Sequence, residues 1–184
     1  LSAIVGRARS QGNFIRIDME DSPLTDSTLG MYYWLRQQGY ENIGIVIQAA
    51  LYRSEEDIRK LLQHSGRIRL CKGAYKEPAE VAFPKKPDVD ANYDKLTSML
   101  LESVKEFPVQ GNGKFPPVPA IATHDPLRIE HAKKEIARLE LPLNTVEFQM
   151  LYGIRRELQK ELAEQGFRVR VYVPYGTHWY PYFM

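Results

Sequence analysis

The sequence lacks the features that identify several large functional classes. It contains one cysteine, Cys71, which excludes an internal disulfide framework and fits a reducing, cytoplasmic compartment. Its longest apolar run, residues 43–52, is about half the length that a transmembrane helix needs. The 25 Lys and Arg residues against 23 Asp and Glu leave a net charge of +2 without a basic cluster, which disfavours nucleic acid as a partner.

Sequence signatures of metal and nucleotide sites are also missing. The four histidines, at positions 64, 124, 131 and 178, show no ligand spacing such as His-x-x-x-His with an acidic partner. No Gly-x-Gly-x-x-Gly follows a predicted strand, and no Gly-x-x-x-x-Gly-Lys-Ser/Thr occurs. We therefore expect no metal site and neither a Rossmann nor a P-loop site, so any nucleotide cofactor must bind in another way.

Six short runs of branched and apolar residues predict β-strands that alternate with segments of helical spacing. The predicted strands are 14–18, 43–48, 67–72, 118–124, 145–149 and 168–173, and the predicted helices are 25–38, 54–63, 91–106, 126–139 and 154–165. The first and last strands, centred near Ile17 and Val171, lie 154 residues apart over five intervals, or about 31 residues per unit. At this spacing the chain holds about six of the eight units of a (β/α)8 barrel.

An open, doubly wound sheet of six strands would also fit this length, but helices would cover both its faces and both should be apolar. Here one face is aliphatic, while the other carries polar side chains towards the C-terminal strand ends. This favours an α/β fold of the TIM-like (β/α)8 barrel type, incomplete here, with residues 1–184 forming one partial domain. The candidate ligand site consists of the inward polar residues at the strand ends: Asp18, Gln48, Arg69, His124, Gln149 and Tyr172.

Several inward residues also have a purely structural interpretation. Asp18 either joins the ligand site, caps the following helix or pairs with Arg69, and His124 either contacts a ligand or caps the helix after it. Cys71 is expected to be a packed small residue and not a nucleophile. Charge pairs that fill the barrel are expected for Arg16, Glu147 and Arg170.

The strand ends resemble, in order, the successive strand motifs of the proline dehydrogenase family, flavin enzymes that open proline catabolism. The resemblance runs from about residue 13 to the end of the chain, and six motifs in the right order make it specific. The motifs are Ile15-Arg-Ile-Asp-Met-Glu-Asp21, 46–48 with 51–53, Arg69-Leu-Cys-Lys-Gly-Ala-Tyr75, Ala122-Thr-His-Asp125, 147–153 and 171–176. The short monofunctional bacterial enzymes are the most similar type.

The resemblance implies a distorted (β/α)8 barrel with FAD lying across its C-terminal mouth. It also implies oxidation of L-proline to 1-pyrroline-5-carboxylate by hydride transfer to flavin N5, the first step of proline degradation to glutamate. In such enzymes the electrons pass to a membrane quinone. Peripheral contact with the inner membrane is therefore an open alternative to a purely cytoplasmic location.

Residue by residue, Asp18 and Arg69 match the active-site acid and arginine of the family. A guanidinium beside the flavin stabilises negative charge without gaining or losing a proton. Flavin-contacting positions are matched by Met19, Gln48, Lys72, Gly73, Ala74, Thr123, His124 and, less closely, Gln149. Positions around the proline ring are matched by Leu151, Tyr172 and Tyr182.

Two parts of the family pattern are missing from the sequence. One is an arginine pair that would follow residues 179–184, and the other is a lysine on an earlier strand; together they hold the proline carboxylate. We therefore expect the isolated 184-residue chain to turn over proline weakly or not at all. Two other hypotheses stay open: a catalytically incompetent half-barrel scaffold that pairs with another segment, and a Schiff-base aldolase that uses Lys72.

Overall fold

The chain folds as alternating strands and helices around one parallel sheet. The structure is a computed structural model that describes residues 1–108 and 111–177. The strands are β1 (Ile15–Ile17), β2 (Ile43–Gln48), β3 (Arg67–Cys71), β4 (Pro119–Ala122), β5 (Glu147–Leu151) and β6 (Arg168–Tyr172). The helices are α1 (Ser2–Ser10), α2 (Thr25–Gln37), α3 (Ser54–Leu62), α4 (Lys86–Glu106), α5 (Pro126–Arg138) and α6 (Arg156–Glu164).

The strands lie in chain order, β1-β2-β3-β4-β5-β6, and every neighbouring pair is parallel. The sheet curls into a half-barrel with the helices outside it, which confirms the predicted incomplete α/β barrel. Parallel strands joined by helices bring all the C-terminal strand ends to one edge. The polar residues predicted at those ends therefore meet at a single mouth.

The hydrophobic core lies between the outer face of the sheet and the helices. Alternate strand residues such as Ile45, Ile68 and Phe148 are almost fully buried there, and Tyr93 and Leu96 of α4 pack in the same layer. Strand periodicity of two explains this division, because successive side chains point to opposite faces. The aliphatic face is less well covered at β6, where Val171 is 37% exposed and Val173, just after the strand, is 61% exposed.

The structure also differs from the sequence-based expectation at three helix starts. Helix α1 was not predicted, and α4 begins at Lys86, five residues before the expected 91. Pro87 suits the first turn of α4 because its missing N–H has no partner to lose there. Helix α6 begins at Arg156, two residues after the expected 154. Helix α3 begins at Ser54 as expected, and the Ser54 hydroxyl donates to the Gln48 carbonyl at 2.5 Å.

Inside the half-barrel, Glu147 accepts a hydrogen bond from Arg170 at 2.7 Å, as expected for an internal charge pair. Arg16 was expected to join this charge pair, but within the described residues it donates hydrogen bonds to backbone carbonyls. Its Nη1 donates to the carbonyl oxygens of Arg67 at 2.5 Å and Ile45 at 3.2 Å. Gly44 leaves room for this guanidinium, since a Cβ there would lie 2.5 Å from Arg16 Nη1.

The two edges of the half-barrel are β1 and β6, and neither has a second strand partner among residues 1–108 and 111–177. The hypothesis of a scaffold that pairs with another segment therefore stays a prediction. Over the same described residues, no helix is both long enough and apolar enough to cross a membrane.

Candidate functional site

A cleft of about 910 Å³ lies at the C-terminal ends of the strands. It is lined by every predicted site residue that the structure describes: Asp18, Met19, Gln48, Arg69, Lys72, Gly73, Ala74, Thr123, His124, Gln149, Leu151 and Tyr172. Tyr182 lies outside the described residues. Cofactor and ligand sites are typically concave and of this size. The predicted set is thus brought together in one place, although the geometry alone does not assign a role to each member.

An ion pair between Arg69 and Asp18 lines the cleft. Arg69 Nη2 donates to Asp18 Oδ1, and the Arg69 side chain is 13% exposed against 52% for Asp18. Burial acts to lower the pKa of Arg69, but the adjacent Asp18 carboxylate outweighs it, so the pKa is raised. The Tyr172 ring, 5.2 Å from the guanidinium carbon, packs against the same group. This leaves a fixed, permanently charged cation in the cleft wall.

Gln48 places an unused acceptor in the same cleft. Its Nε2 donates to the Glu20 carbonyl at 2.7 Å, while its buried Oε1 has no hydrogen-bond partner among the described residues. Gly73 lies opposite in the left-handed region, with φ of +105°, and a Cβ at this position would lie 2.9 Å from Gln48 Oε1. Glycine is therefore favoured here both by the backbone conformation and because a Cβ would crowd that oxygen.

Lys72 joins the end of β3 to the elements on either side of the cleft. Its ammonium donates to Asp90 of α4 and, at 2.6 Å, to Asp125, which caps α5 by accepting from the Leu127 amide. Burial acts to lower the pKa of Lys72, but the hydrogen bonds to Asp125 and Asp90 raise it overall. A lysine held in its charged form is a poor amine nucleophile, which argues against the aldolase hypothesis.

Cys71 lies beside these residues but is packed, as expected. Its thiol contacts the Ile47 carbonyl, with Sγ 3.6 Å from the oxygen. Burial raises the pKa of Cys71 to about 11, so the thiol stays protonated at neutral pH. Because the thiolate is the nucleophilic form, Cys71 is unsuited to nucleophilic chemistry.

His124 connects the ends of β4 and β5. Its Nε2 accepts a hydrogen bond from the Leu151 amide at 2.8 Å, and Asp125 provides the helix cap that was one interpretation of His124. Burial and, to a smaller degree, nearby Arg155 lower the pKa of His124. The imidazole is therefore neutral at physiological pH, which its role as an acceptor requires.

Sequence reasoning missed the contacts that tie two mouth loops together. Glu20 accepts from the Tyr75 hydroxyl, and Glu77 accepts from the Ser22 amide at 2.8 Å. Sequence reasoning also missed the two partners of Lys72. Asp125 could have been found from the Asp-Pro pair that marks a helix start, whereas no sequence pattern marks Asp90. The two contacts between the mouth loops join residues more than fifty positions apart, so no local sequence pattern predicts them.

The chain matches a known protein family and several curated proteins. The proline dehydrogenase family matches residues 1–181. Proline dehydrogenase 1 of Bacillus subtilis is 46% identical over 184 residues, which cover 100% of this chain and 57% of the relative. The proline dehydrogenase of Deinococcus radiodurans is 44% identical over 181 residues, covering 98% of this chain and 54% of the relative. The chain thus spans little more than half the length of these relatives.

Among solved structures, the chain resembles proline utilization A (PutA) from Bdellovibrio bacteriovorus, a crystal structure of the protein inactivated by N-propargylglycine. The two share 29% sequence identity with a TM-score of 0.84, over 97% of this chain and 20% of the other. The half-barrel and its mouth therefore have a counterpart in a larger, experimentally determined protein.

Proposed function

Because the chain belongs to the proline dehydrogenase family, we propose that the whole protein oxidises L-proline to 1-pyrroline-5-carboxylate with FAD as cofactor. We further propose that residues 1–184 form part of one barrel domain that carries the FAD site. The observation that carries the proposal is the cleft itself, where a partly buried arginine, its acidic partner and the other matched polar residues converge. The family match and these matched positions support each other.

The cleft fits a flavin. An isoalloxazine ring presents one ring N–H between two carbonyl groups and therefore needs an acceptor as well as donors. Gln48 Oε1 is a buried acceptor without a partner among the described residues, and a side chain at Gly73 would crowd it. We propose that Gln48 binds the ring edge there, together with Met19, Ala74, Thr123 and Gln149 as further contacts.

When bound, FAD supplies the acceptor for the hydride that leaves the carbon next to the proline nitrogen. In our proposal the Arg69 guanidinium stabilises negative charge on the flavin, and Asp18 holds that guanidinium in place. A preoriented charge in a partly desolvated cleft acts more strongly than it would in water, because it needs no reorganisation during the reaction.

Lys72 is proposed to bind the anionic part of the cofactor. Asp90 and Asp125 use two of the three donors of its ammonium, so one donor remains for a ligand. The two carboxylates also fix the side chain, which removes part of the entropic cost of ordering a long lysine on binding. We therefore assign Lys72 to the pyrophosphate.

The substrate is proposed to lie against Leu151 and Tyr172, at the ends of β5 and β6, which are paired in the sheet. A small ring such as proline needs apolar walls of this kind. Tyr182 is proposed as a third wall. On the same family resemblance we propose a quinone as the electron acceptor, reached from the cytoplasmic side at the inner membrane.

The proposal is tested on the complete protein purified without added flavin. We expect a yellow protein that reduces a dye acceptor only when L-proline is present, with 1-pyrroline-5-carboxylate as the product. A control with Tyr175, which is fully exposed, replaced by phenylalanine should behave like the wild type. A folded protein that is colourless, or that reduces the dye equally well without proline, would sink the proposal.

A further inference from the structure

The end of β4 leaves a gap in the sheet that a side chain fills. The β4–β5 pairing ends at Ala122 opposite Gln149, and the next step along a parallel ladder would place His124 opposite Leu151. The backbone cannot make that step, because it turns into α5 at Asp125 and Pro126. The imidazole of His124 takes its place and accepts the Leu151 N–H at 2.8 Å.

This hydrogen bond decides which ring nitrogen carries the proton. A neutral imidazole has one donor and one acceptor nitrogen, and the group bound to one of them fixes the tautomer. Since Nε2 accepts from the Leu151 amide, the proton lies on Nδ1. The Nδ1–H has no hydrogen-bond partner within residues 1–108 and 111–177, and His124 lines the cleft. The residue thus retains a donor for an acceptor atom of a bound ligand.

The backbone of Leu151 is also bound by a side chain of α6. Gln159 of α6 donates through Nε2 to the Leu151 carbonyl at 2.9 Å and to the Ile154 carbonyl at 2.8 Å. The Leu151 peptide groups therefore have partners both from α6 and from His124, which fix the backbone that carries the side chain. A small shift of this wall would change the fit of a small ring more than it would change the fit of a large cofactor.

We infer that His124, which the family resemblance already places at a flavin-contacting position, is also a positioning residue that fixes Leu151 through Nε2. This leaves its Nδ1–H for an acceptor atom of the cofactor. The inference rests on the proposed function, in which Leu151 is a wall of the proline site. One nitrogen of the His124 ring thus binds the Leu151 N–H, and the other nitrogen binds the cofactor. The position of Leu151 in the proline site therefore depends on the end of β4, which also contacts the cofactor through His124.

The two duties can be separated with two variants of the complete protein. The amide of asparagine lies where Nδ1 lies, so His124→Asn keeps a donor for the cofactor but cannot reach the Leu151 N–H. Glutamine is one bond longer and places an oxygen near the position of Nε2, so His124→Gln keeps the Leu151 contact. One hydrogen bond of this kind corresponds to about a fivefold change in an equilibrium constant.

For His124→Asn we expect KM for proline to rise about fivefold, with unchanged flavin content and with faster hydrogen exchange at the Leu151 amide. For His124→Gln we expect a near-normal KM and a slow Leu151 amide, with cofactor affinity reduced about fivefold. The inference is overturned if both variants change KM equally or if the Leu151 amide exchanges at the wild-type rate in the asparagine variant.

A direct readout does not depend on activity or on the variants being well behaved. In the complete protein labelled with ¹⁵N-histidine, the His124 signals should show a protonated Nδ1 and an unprotonated Nε2. A protonated Nε2 would overturn the inference. If the protein fails to oxidise proline, the proposed function is lost, but the tautomer and the Leu151 exchange rate still decide whether His124 positions this strand end.

Discussion

Replacing Gly44 with alanine should destabilise the protein strongly, because three atoms occupy the space that a methyl group needs. The added Cβ would lie 2.5 Å from Arg16 Nη1, 2.5 Å from the Arg67 carbonyl oxygen and 2.7 Å from Phe14 Cζ. The carbonyl belongs to the paired strand β3 and cannot move without disturbing the sheet. Overpacking of this kind costs about 1–3 kcal/mol.

Arg16 adds to this cost. To make room, its guanidinium must leave the carbonyl oxygens of Arg67 and Ile45, to which Nη1 donates. Hydrogen bonds from a charged group contribute about 1.5–3 kcal/mol each, and a displaced guanidinium recovers part of this from water. We therefore expect Gly44→Ala to lower the free energy of unfolding by about 2–5 kcal/mol.

The assay is urea unfolding of the complete protein, with Gly30→Ala as the matched control. Gly30 lies on the exposed face of α2, and a Cβ there meets nothing within 4 Å. Alanine is the better helix former by about 1 kcal/mol, so this control should be as stable as the wild type or more so. Equal stability of the two variants would show that a methyl group at residue 44 does not displace Arg16 or disturb the barrel interior.

Three further predictions concern the ion pairs of the cleft. Arg69→Met should slow flavin reduction by proline about 100-fold in stopped-flow experiments, and a rate near that of wild type would exclude a role for this cation. Lys72→Met should weaken FAD binding about tenfold in a titration, and trapping with borohydride and a carbonyl substrate should label neither this variant nor the wild type. Burial acts to raise the pKa of Asp125, but Lys72 lowers it overall. The contribution of the Asp125 carboxylate to the free energy of unfolding should therefore persist above pH 3.8 and be lost as the pH falls further. Asp125→Asn should flatten this acid dependence of urea unfolding, and an unchanged profile would contradict the ion pair's role in stability.

Much of the fold follows from local pattern. The bounds of β2 were predicted correctly, because a continuous run of branched residues is buried along its whole length. Periodicity of two then placed Asp18, Gln48 and Arg69 on one face, and parallel pairing brought them to one mouth. The family resemblance added possible roles, which the composition and spacing alone could not supply.

The parts that escaped prediction depend on contacts across the fold. The early start of α4 places Asp90 within reach of Lys72, although no pattern around residue 90 marks it as a partner. Arg16 was expected in a charge pair, yet backbone carbonyls of neighbouring strands bind it. The exposure of Val171 likewise reflects which elements pack near β6 and not the alternation of β6 itself.

We propose that the hydride of proline passes to FAD in this cleft. The most direct measurement is a single-turnover experiment without oxygen, in which L-proline is mixed with the complete, flavin-loaded protein and the flavin absorbance is followed. We expect loss of the oxidised-flavin spectrum, with one 1-pyrroline-5-carboxylate formed for each flavin reduced. A flavin that binds but keeps its oxidised spectrum in saturating proline would contradict it.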